Sequence, residues 1–178
     1  MSKAIAAGLG ALLTLASAAS AADHMHHSDA SGQAAHSHHM DGPHGMDMQN
    51  VPVSATVTVG DCWVRLLPEP APSAGYFVVK NAGAKPVRLT GASAAAFGMV
   101  MLHQTTNQDG MSRMSMAQSV EVPAGQELAF KPGGYHAMLE QPRQKLQVGT
   151  QIPMEFQFDS GEKATASCEV RPANTTSR

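Results

Sequence analysis

Beyond residue 50 the chain consists of short runs in which apolar and polar residues alternate, and each run ends at turn residues. Such alternation places one face of a strand in a core and the other towards solvent, so it constrains the fold more than any other feature. Long helical periodicity is absent, and only residues 92–97 indicate a short helical turn. The sequence therefore predicts an all-β antiparallel sandwich or Greek-key barrel over residues 51–172. The predicted strands are ATVTVGDCWVRL, GYFVVKN, PVRLTGA, GMVMLHQT, MSRMSMA, ELAF, YHAML, IPMEFQF and TASCEVR.

The first residues have the pattern of a secretory signal. Lys3 precedes an apolar stretch that extends to Leu15, and small residues follow as far as Ala21. We therefore predict a signal peptide over residues 1–21, cleaved near Ala21 and Ala22, and a periplasmic protein with no membrane insertion afterwards. The apolar stretch is too short to span a bilayer comfortably, but an uncleaved membrane anchor remains the alternative.

Residues 22–50 are predicted to form a disordered tail rich in histidine and methionine, because they show no periodicity that could bury a core. Imidazole is the commonest metal-binding side chain and suits Cu(II), so the tail is a predicted Cu(II) site. The alternative is a solvated linker without chemistry. The tail histidines are His24, His26, His27, His36, His38, His39 and His44.

The only two cysteines, Cys62 and Cys168, lie near the two ends of the predicted domain. In an oxidising compartment we expect them to form a disulfide, with two separate buried thiols as the alternative. Residues 173–178 are expected to be a disordered C-terminus. The formal net charge of −2 gives no electrostatic reason to expect a nucleic-acid partner. We see no nucleophile–base set, so we predict a binding protein and no enzyme. We also expect a monomer.

The predicted domain contains two histidines, and each lies close to methionine in a strand-like run. His136 and Met138 are two positions apart and would point to the same face of a strand, just after Gly133 and Gly134. His103 alternates with Met99 and Met101 on one face of another run, and the turn NQDG brings a methionine-rich run beside it. Methionine on a strand usually fills a core, so the other methionines here are interpreted as core residues. They are Met99, Met101, Met111 and Met116.

The spacing of four residues resembles a known signature. Ten residues separate His103 from Met114, and twenty-one separate Met114 from His136-x-Met138. This matches the HX10MX21HXM pattern of the PCuAC family of periplasmic copper chaperones, and CWVRLLPEPAPSAGYFVVKN and PGGYHAMLEQP are also similar to that family. The resemblance implies a cupredoxin-like β-sandwich that binds Cu(I) through His103, Met114, His136 and Met138. It also implies delivery of copper to the copper-centre subunit of cytochrome c oxidase, or to its thiol-bearing assembly factor.

The donor chemistry agrees with that expectation. Thioethers are soft, neutral donors that favour Cu(I), and methionine cannot be lost to disulfides as cysteine can. A blue-copper electron carrier would need a histidine and usually a methionine soon after a cysteine, but Cys168 is followed by EVRPANTTSR. A copper-sequestering resistance protein remains the alternative, because the tail suits storage as well as delivery.

Overall fold

The computed structural model describes residues 50–177, which belong to the compact unit His44–Arg178. These residues form an all-β sandwich without an α-helix, as predicted. The predicted signal peptide and the seven tail histidines lie outside the described residues. The strands are β1 (Val57–Arg65), β2 (Ser73–Asn81), β3 (Val87–Ser93), β4 (Phe97–Gln108), β5 (Met111–Met116), β6 (Val120–Val122), β7 (Glu127–Phe130), β8 (Tyr135–Pro142), β9 (Gln151–Phe158) and β10 (Lys163–Arg171).

All nine predicted strand segments correspond to strands, but the sequence did not reveal β6. This strand has only three residues and pairs with β3. Residues 92–97 contain no helix: the amide of Phe97 donates to the carbonyl of Ala94 at 3.0 Å, which closes a single turn between β3 and β4. Within residues 50–177, no helix is both long and apolar enough to cross a membrane.

The strands form one hydrogen-bonded sheet in the order β5-β4-β8-β2-β1-β10-β9-β3-β6, with β7 also paired to β2. In a flat sheet β2 and β9 would lie about 14 Å apart, because neighbouring strands are spaced by about 4.8 Å. Instead, the ring centroids of Phe77 on β2 and Phe156 on β9 are 4.5 Å apart, and Phe130 stacks on Phe77 at 4.3 Å. The sheet therefore folds over, and its two halves face each other across the core.

The predicted disulfide is confirmed. Cys62 on β1 and Cys168 on β10 are bonded, their Cα atoms are 4.4 Å apart, and both residues are buried. Strands β1 and β10 pair in parallel at the place where the two halves of the sheet meet. The bridge therefore reinforces the junction between the two layers.

Strands β4 and β8 show how alternation divides the molecule into two faces. Leu102 on β4 is opposite Ala137 on β8, and both are buried in the main core together with Leu139. The residues between them, including His103 and His136, point to the other side of the sheet. We call that side of β4, β5 and β8 the outer face.

The hairpin between β4 and β5 ends in a two-residue turn. Asp109 and Gly110 both have positive φ, 52° and 77°, as expected for an Asp-Gly type I′ turn. This turn pairs Gln108 with Met111, and every residue of β5 is exposed. The turn thereby sets which β5 residue lies opposite each β4 residue.

Residues 172–177 continue past β10. The amide of Thr175 donates to the carbonyl of Pro172 at 3.0 Å, and Thr176 and Ser177 line a cavity together with Trp63. The disorder expected for residues 173–178 stays a prediction.

The disulfide predicts a measurable loss of stability on reduction. A bridge across 106 residues of sequence should stabilise the fold by about 4 to 5 kcal/mol, because it restricts the unfolded chain. Urea unfolding of the oxidised and reduced protein should show this difference, and a Cys62→Ala/Cys168→Ala variant should resemble the reduced protein. Equal unfolding midpoints for the oxidised and reduced protein would contradict the expectation.

Candidate metal centre

His103 and His136 face each other across β4 and β8. They are direct partners in the antiparallel register, and their ring centroids are 5.9 Å apart. Both are buried, with 9% and 8% of their surface exposed. The sequence separation of these two histidines gave no indication of this pairing, which the fold brings about.

The imidazole of His103 has no hydrogen-bond partner. Both Nδ1 and Nε2 are buried, and neither contacts a donor or acceptor within the described part of the chain. A buried polar group left unsatisfied costs about 1 to 3 kcal/mol. A metal ion bound to one of these nitrogens would remove part of that cost, so His103 has the environment expected of a metal ligand.

His136 is held in a defined orientation. Its Nδ1 lies 3.1 Å from the carbonyl oxygen of Gly134, so the protonated Nδ1 donates and Nε2 keeps a free lone pair. Metal-binding histidines are commonly oriented in this way. The carbonyl is set in place by a tight turn, in which Gly133 has a φ of 77° and the amide of Gly134 donates to Lys131. The adjacent glycines therefore serve the orientation of His136.

Burial also keeps His103 in the form that binds metal. The pKa of His103 is lowered, first because burial penalises the charged imidazolium and second because His136 lies close, while Glu140 acts in the opposite direction. The ring is therefore neutral at neutral pH. Neutral imidazole is the form that coordinates a metal ion.

The other two predicted ligands lie on the same outer face as the histidines. Met138 is half-buried and pairs with Met101, next to the histidine pair on the ladder. Met114 is 56% exposed and pairs with Thr105. The two methionines are thus diagonal neighbours of His103, on its two sides, and neither is its direct cross-strand partner.

The residue directly opposite His103 on β5 is Met116. The amide of Ala117 donates to the carbonyl of Leu102, so the adjacent pair of His103 and Met116 is a non-hydrogen-bonded pair. Side chains approach each other most closely in such pairs. Sequence reasoning missed this neighbour. The Asp-Gly turn pairs Gln108 with Met111, and following the two strands residue by residue from that pair leads to His103 opposite Met116.

The interpretation of these four methionines as core residues is wrong. Met99, Met111 and Met116 are 41%, 60% and 65% exposed. Met101 is half-buried and lies on the outer face, away from the main core. The alternating pattern correctly predicted strands, but it does not show which of the two faces of the sheet is covered.

An aromatic cluster flanks His136 on the same side of the sheet. Trp63 and Tyr76 are buried there with ring centroids 4.4 Å apart, and Tyr76 lies 6.4 Å from the ring of His136. The guanidinium groups of Arg65 and Arg171 lie over Tyr76 and Trp63 at 5.4 and 5.2 Å. Burial raises the pKa of Tyr76, so its phenol stays protonated and acts as a wall beside the histidines. Sequence reasoning did not identify this cluster.

The donor set of the site limits which metals it suits. Among residues 50–177, no three His, Cys, Asp or Glu side chains gather into a cation site. The side chains beside His103 and His136 that could add ligands on this face are the thioethers of Met114, Met116 and Met138. Thioethers are soft ligands and favour Cu(I) over hard divalent ions.

Solved structures share this fold. The PCuAC domain of PmoF2 in its apo form is 21% identical, with a TM-score of 0.57 over 69% of this chain and 95% of that domain. The solution structure of Cu(I)-bound DR1885 from Deinococcus radiodurans is 25% identical, with a TM-score of 0.53 over 76% of this chain and 87% of that protein.

Sequence comparison identifies the family. A Leifsonia xyli subsp. xyli protein whose name describes a lipoprotein is 30% identical over 116 residues, which are 65% of this chain and 69% of that protein. Both cysteines of the present sequence are in the disulfide, so neither carries a lipid. The family described as "Putative lipoprotein LpqE-like" matches residues 57–170. Because that match covers more than half of the sequence, this chain belongs to the LpqE-like family.

Proposed function

We propose that this protein is a PCuAC-type copper chaperone that binds Cu(I) through His103, His136, Met114 and Met138. The observation that carries the proposal is the buried pair of facing imidazoles on a face that also carries thioethers, with one imidazole lacking a hydrogen-bond partner among residues 50–177. The fold shared with Cu(I)-bound DR1885 supports it. The role is binding and transfer, without catalysis.

The arrangement suits an ion that must be held and then released. Two imidazoles and two thioethers are all neutral, so no anionic ligand offsets the charge of Cu(I) and binding is weaker than by thiolates. The imidazoles are buried, whereas Met114 lies on the exposed β5. A partner protein can therefore approach the sulfur side while the histidines still hold the ion.

The recipient we propose is the copper-centre subunit of cytochrome c oxidase, or a thiol-bearing assembly factor that serves it. Thiolates bind Cu(I) more strongly than thioethers, so transfer to either acceptor is favourable. The signal pattern at the N-terminus supports a periplasmic location for this exchange. We propose that the chaperone acts as a monomer.

A copper-sequestering protein is the second candidate, and the seven tail histidines favour it. A chain that stores copper would bind several ions and release few of them. We propose that the tail binds Cu(II), because imidazole suits tetragonal Cu(II), while the folded domain selects Cu(I). The two oxidation states would then be bound by different parts of one chain.

The ligand assignment predicts the effect of removing both sulfurs. Met114→Leu/Met138→Leu keeps the side-chain volume and should leave the fold intact. It should lower Cu(I) affinity by more than about 100-fold, because losing even a supporting residue of a metal site costs roughly 10- to 100-fold. Competition titration with a Cu(I) chelator measures the change. Met111→Leu is the matched control, and equal affinity of the double variant and the native protein would refute the assignment.

Transfer distinguishes delivery from storage. Cu(I)-loaded protein, incubated anaerobically with the apo copper-centre domain of cytochrome c oxidase or with a dithiol assembly factor, should pass on its ion. Separation of the two proteins and metal analysis of each gives the amount transferred. Retention of copper by the loaded protein with both acceptors would favour sequestration instead.

The tail predicts a separate Cu(II) signal. Cleavage after Ala21 would leave Ala22-Asp23-His24 at the N-terminus, where the amine, two backbone amides and the His24 imidazole can form a square plane around Cu(II). Electron paramagnetic resonance of the mature protein should show this tetragonal site, and a chain that begins at Val51 should lack it. Equal Cu(II) uptake by both chains would leave the tail as a solvated linker.

A further inference from the structure

The ladder of β4 and β8 carries more sulfur than one copper site uses. Met101 is the direct partner of Met138, and Met99 is the direct partner of Glu140. All four residues lie on the outer face, on the side of the histidine pair away from Met114. Met99 is 41% exposed, and Met101, Met138 and Glu140 are half-buried. This group is therefore neither core nor fully solvated surface.

The register brings the three sulfurs within reach of one another. The amide of Thr105 donates to the carbonyl of Gly134, which makes Met101 and Met138 a hydrogen-bonded pair two steps further along the ladder. Cα atoms in such pairs are about 5.5 Å apart. Met99 follows at about 6.6 Å from Met101 along the strand. Each side chain has three rotatable bonds and a polarizable sulfur, so their thioethers can converge on one ion.

We infer that Met99, Met101 and Met138 form a second position for a soft monovalent ion, Cu(I) or Ag(I), beside the histidine position. The carboxylate of Glu140, opposite Met99, supplies negative charge near the cation. This inference rests on the proposed function, because Met138 belongs to both positions. An ion can then move from the imidazoles to the thioether group without losing its bond to Met138.

The two positions differ in the strands that supply their sulfur ligands. The histidine position has its further sulfurs on β5, where Met116 is the direct neighbour of His103 and Met114 the diagonal one. The thioether position has its sulfurs on β4 and β8 alone. A partner that approaches the end of the ladder near Met99 would meet sulfur ligands and a carboxylate, whereas the imidazoles stay buried.

The test is nuclear magnetic resonance of the full chain with ¹³C-labelled methionine methyl groups and ¹⁵N-labelled histidine. Cu(I) and, separately, Ag(I) are added anaerobically until the signals stop changing, and each signal is assigned with a single Met→Leu or His→Leu variant. The inference predicts that the methyl signals of Met99 and Met101 shift together with that of Met138. Met111, which is exposed on the opposite face of its strand, and Met154, which is fully buried, are the controls and should not shift.

A variant separates coordination from mere proximity. His103→Leu removes a ligand of the first position, so the shifts of Met99 and Met101 should persist in that variant if they coordinate an ion themselves. Met99→Leu/Met101→Leu should lose the second ion and keep the response of His103 and His136. Glu140→Gln should weaken the second position several-fold, while His103 and His136 should still respond to Cu(I).

The results that overturn the inference are distinct from those that overturn the proposed function. If His103 and His136 respond while Met99 and Met101 do not, the second position does not exist and the copper function stands. The same conclusion follows if the Met99 and Met101 shifts vanish in His103→Leu. If neither the histidines nor these methionines respond to Cu(I), both proposals fail.

Discussion

The organisation of this protein depends on strict alternation along β4 and β8. Leu102, Ala137 and Leu139 point into the main core, and the residues between them carry the imidazoles and thioethers on the outer face. A slip of one residue in the pairing would expose the core side chains and bury the proposed metal ligands. Core packing therefore fixes the geometry of the site, since the same register satisfies both faces.

Burial of the histidine pair suits the proposed metal site but disfavours folding. Both ring nitrogens of His103 are buried without a hydrogen-bond partner among residues 50–177, an arrangement that disfavours folding unless another group satisfies them. His136 avoids this cost because Gly134 accepts its Nδ1 proton. One imidazole is thus oriented in advance and the other is left without a partner. The Cys62–Cys168 disulfide, at the junction of the two layers, stabilises the fold and so offsets such a cost.

Much of the fold was predictable because its signals are local. Nine strand segments follow from alternation and turn residues, and the disulfide follows from two cysteines in an exported domain. Strand β6 was missed because three residues cannot show a period. The aromatic cluster could not be predicted either. Its rings lie under Arg65 and Arg171, which come from β1 and β10 at opposite ends of the domain's sequence.

The four proposed ligands come from the sequence, but their surroundings could not be predicted from it. Alternation says that Met99 and Met116 share a face with His103, but whether that face is covered depends on the rest of the molecule. Among residues 50–177 nothing covers β5, so its methionines are exposed. A contiguous patch of exposed apolar side chains is typical of an interaction site.

The result is a gradient of exposure across one face of the sheet. The imidazoles of His103 and His136 lie against the wall formed by Tyr76 and Trp63, and the sulfurs become more accessible away from that wall, towards Met116 on β5 and Met99 on β4. In the proposed site, an ion at the buried end would be bound by the oriented imidazole of His136 and by His103, and the neighbouring thioethers would exchange readily because their side chains are flexible. The proposal therefore assigns retention and release to different ends of the same set of donors, which the register of three strands connects.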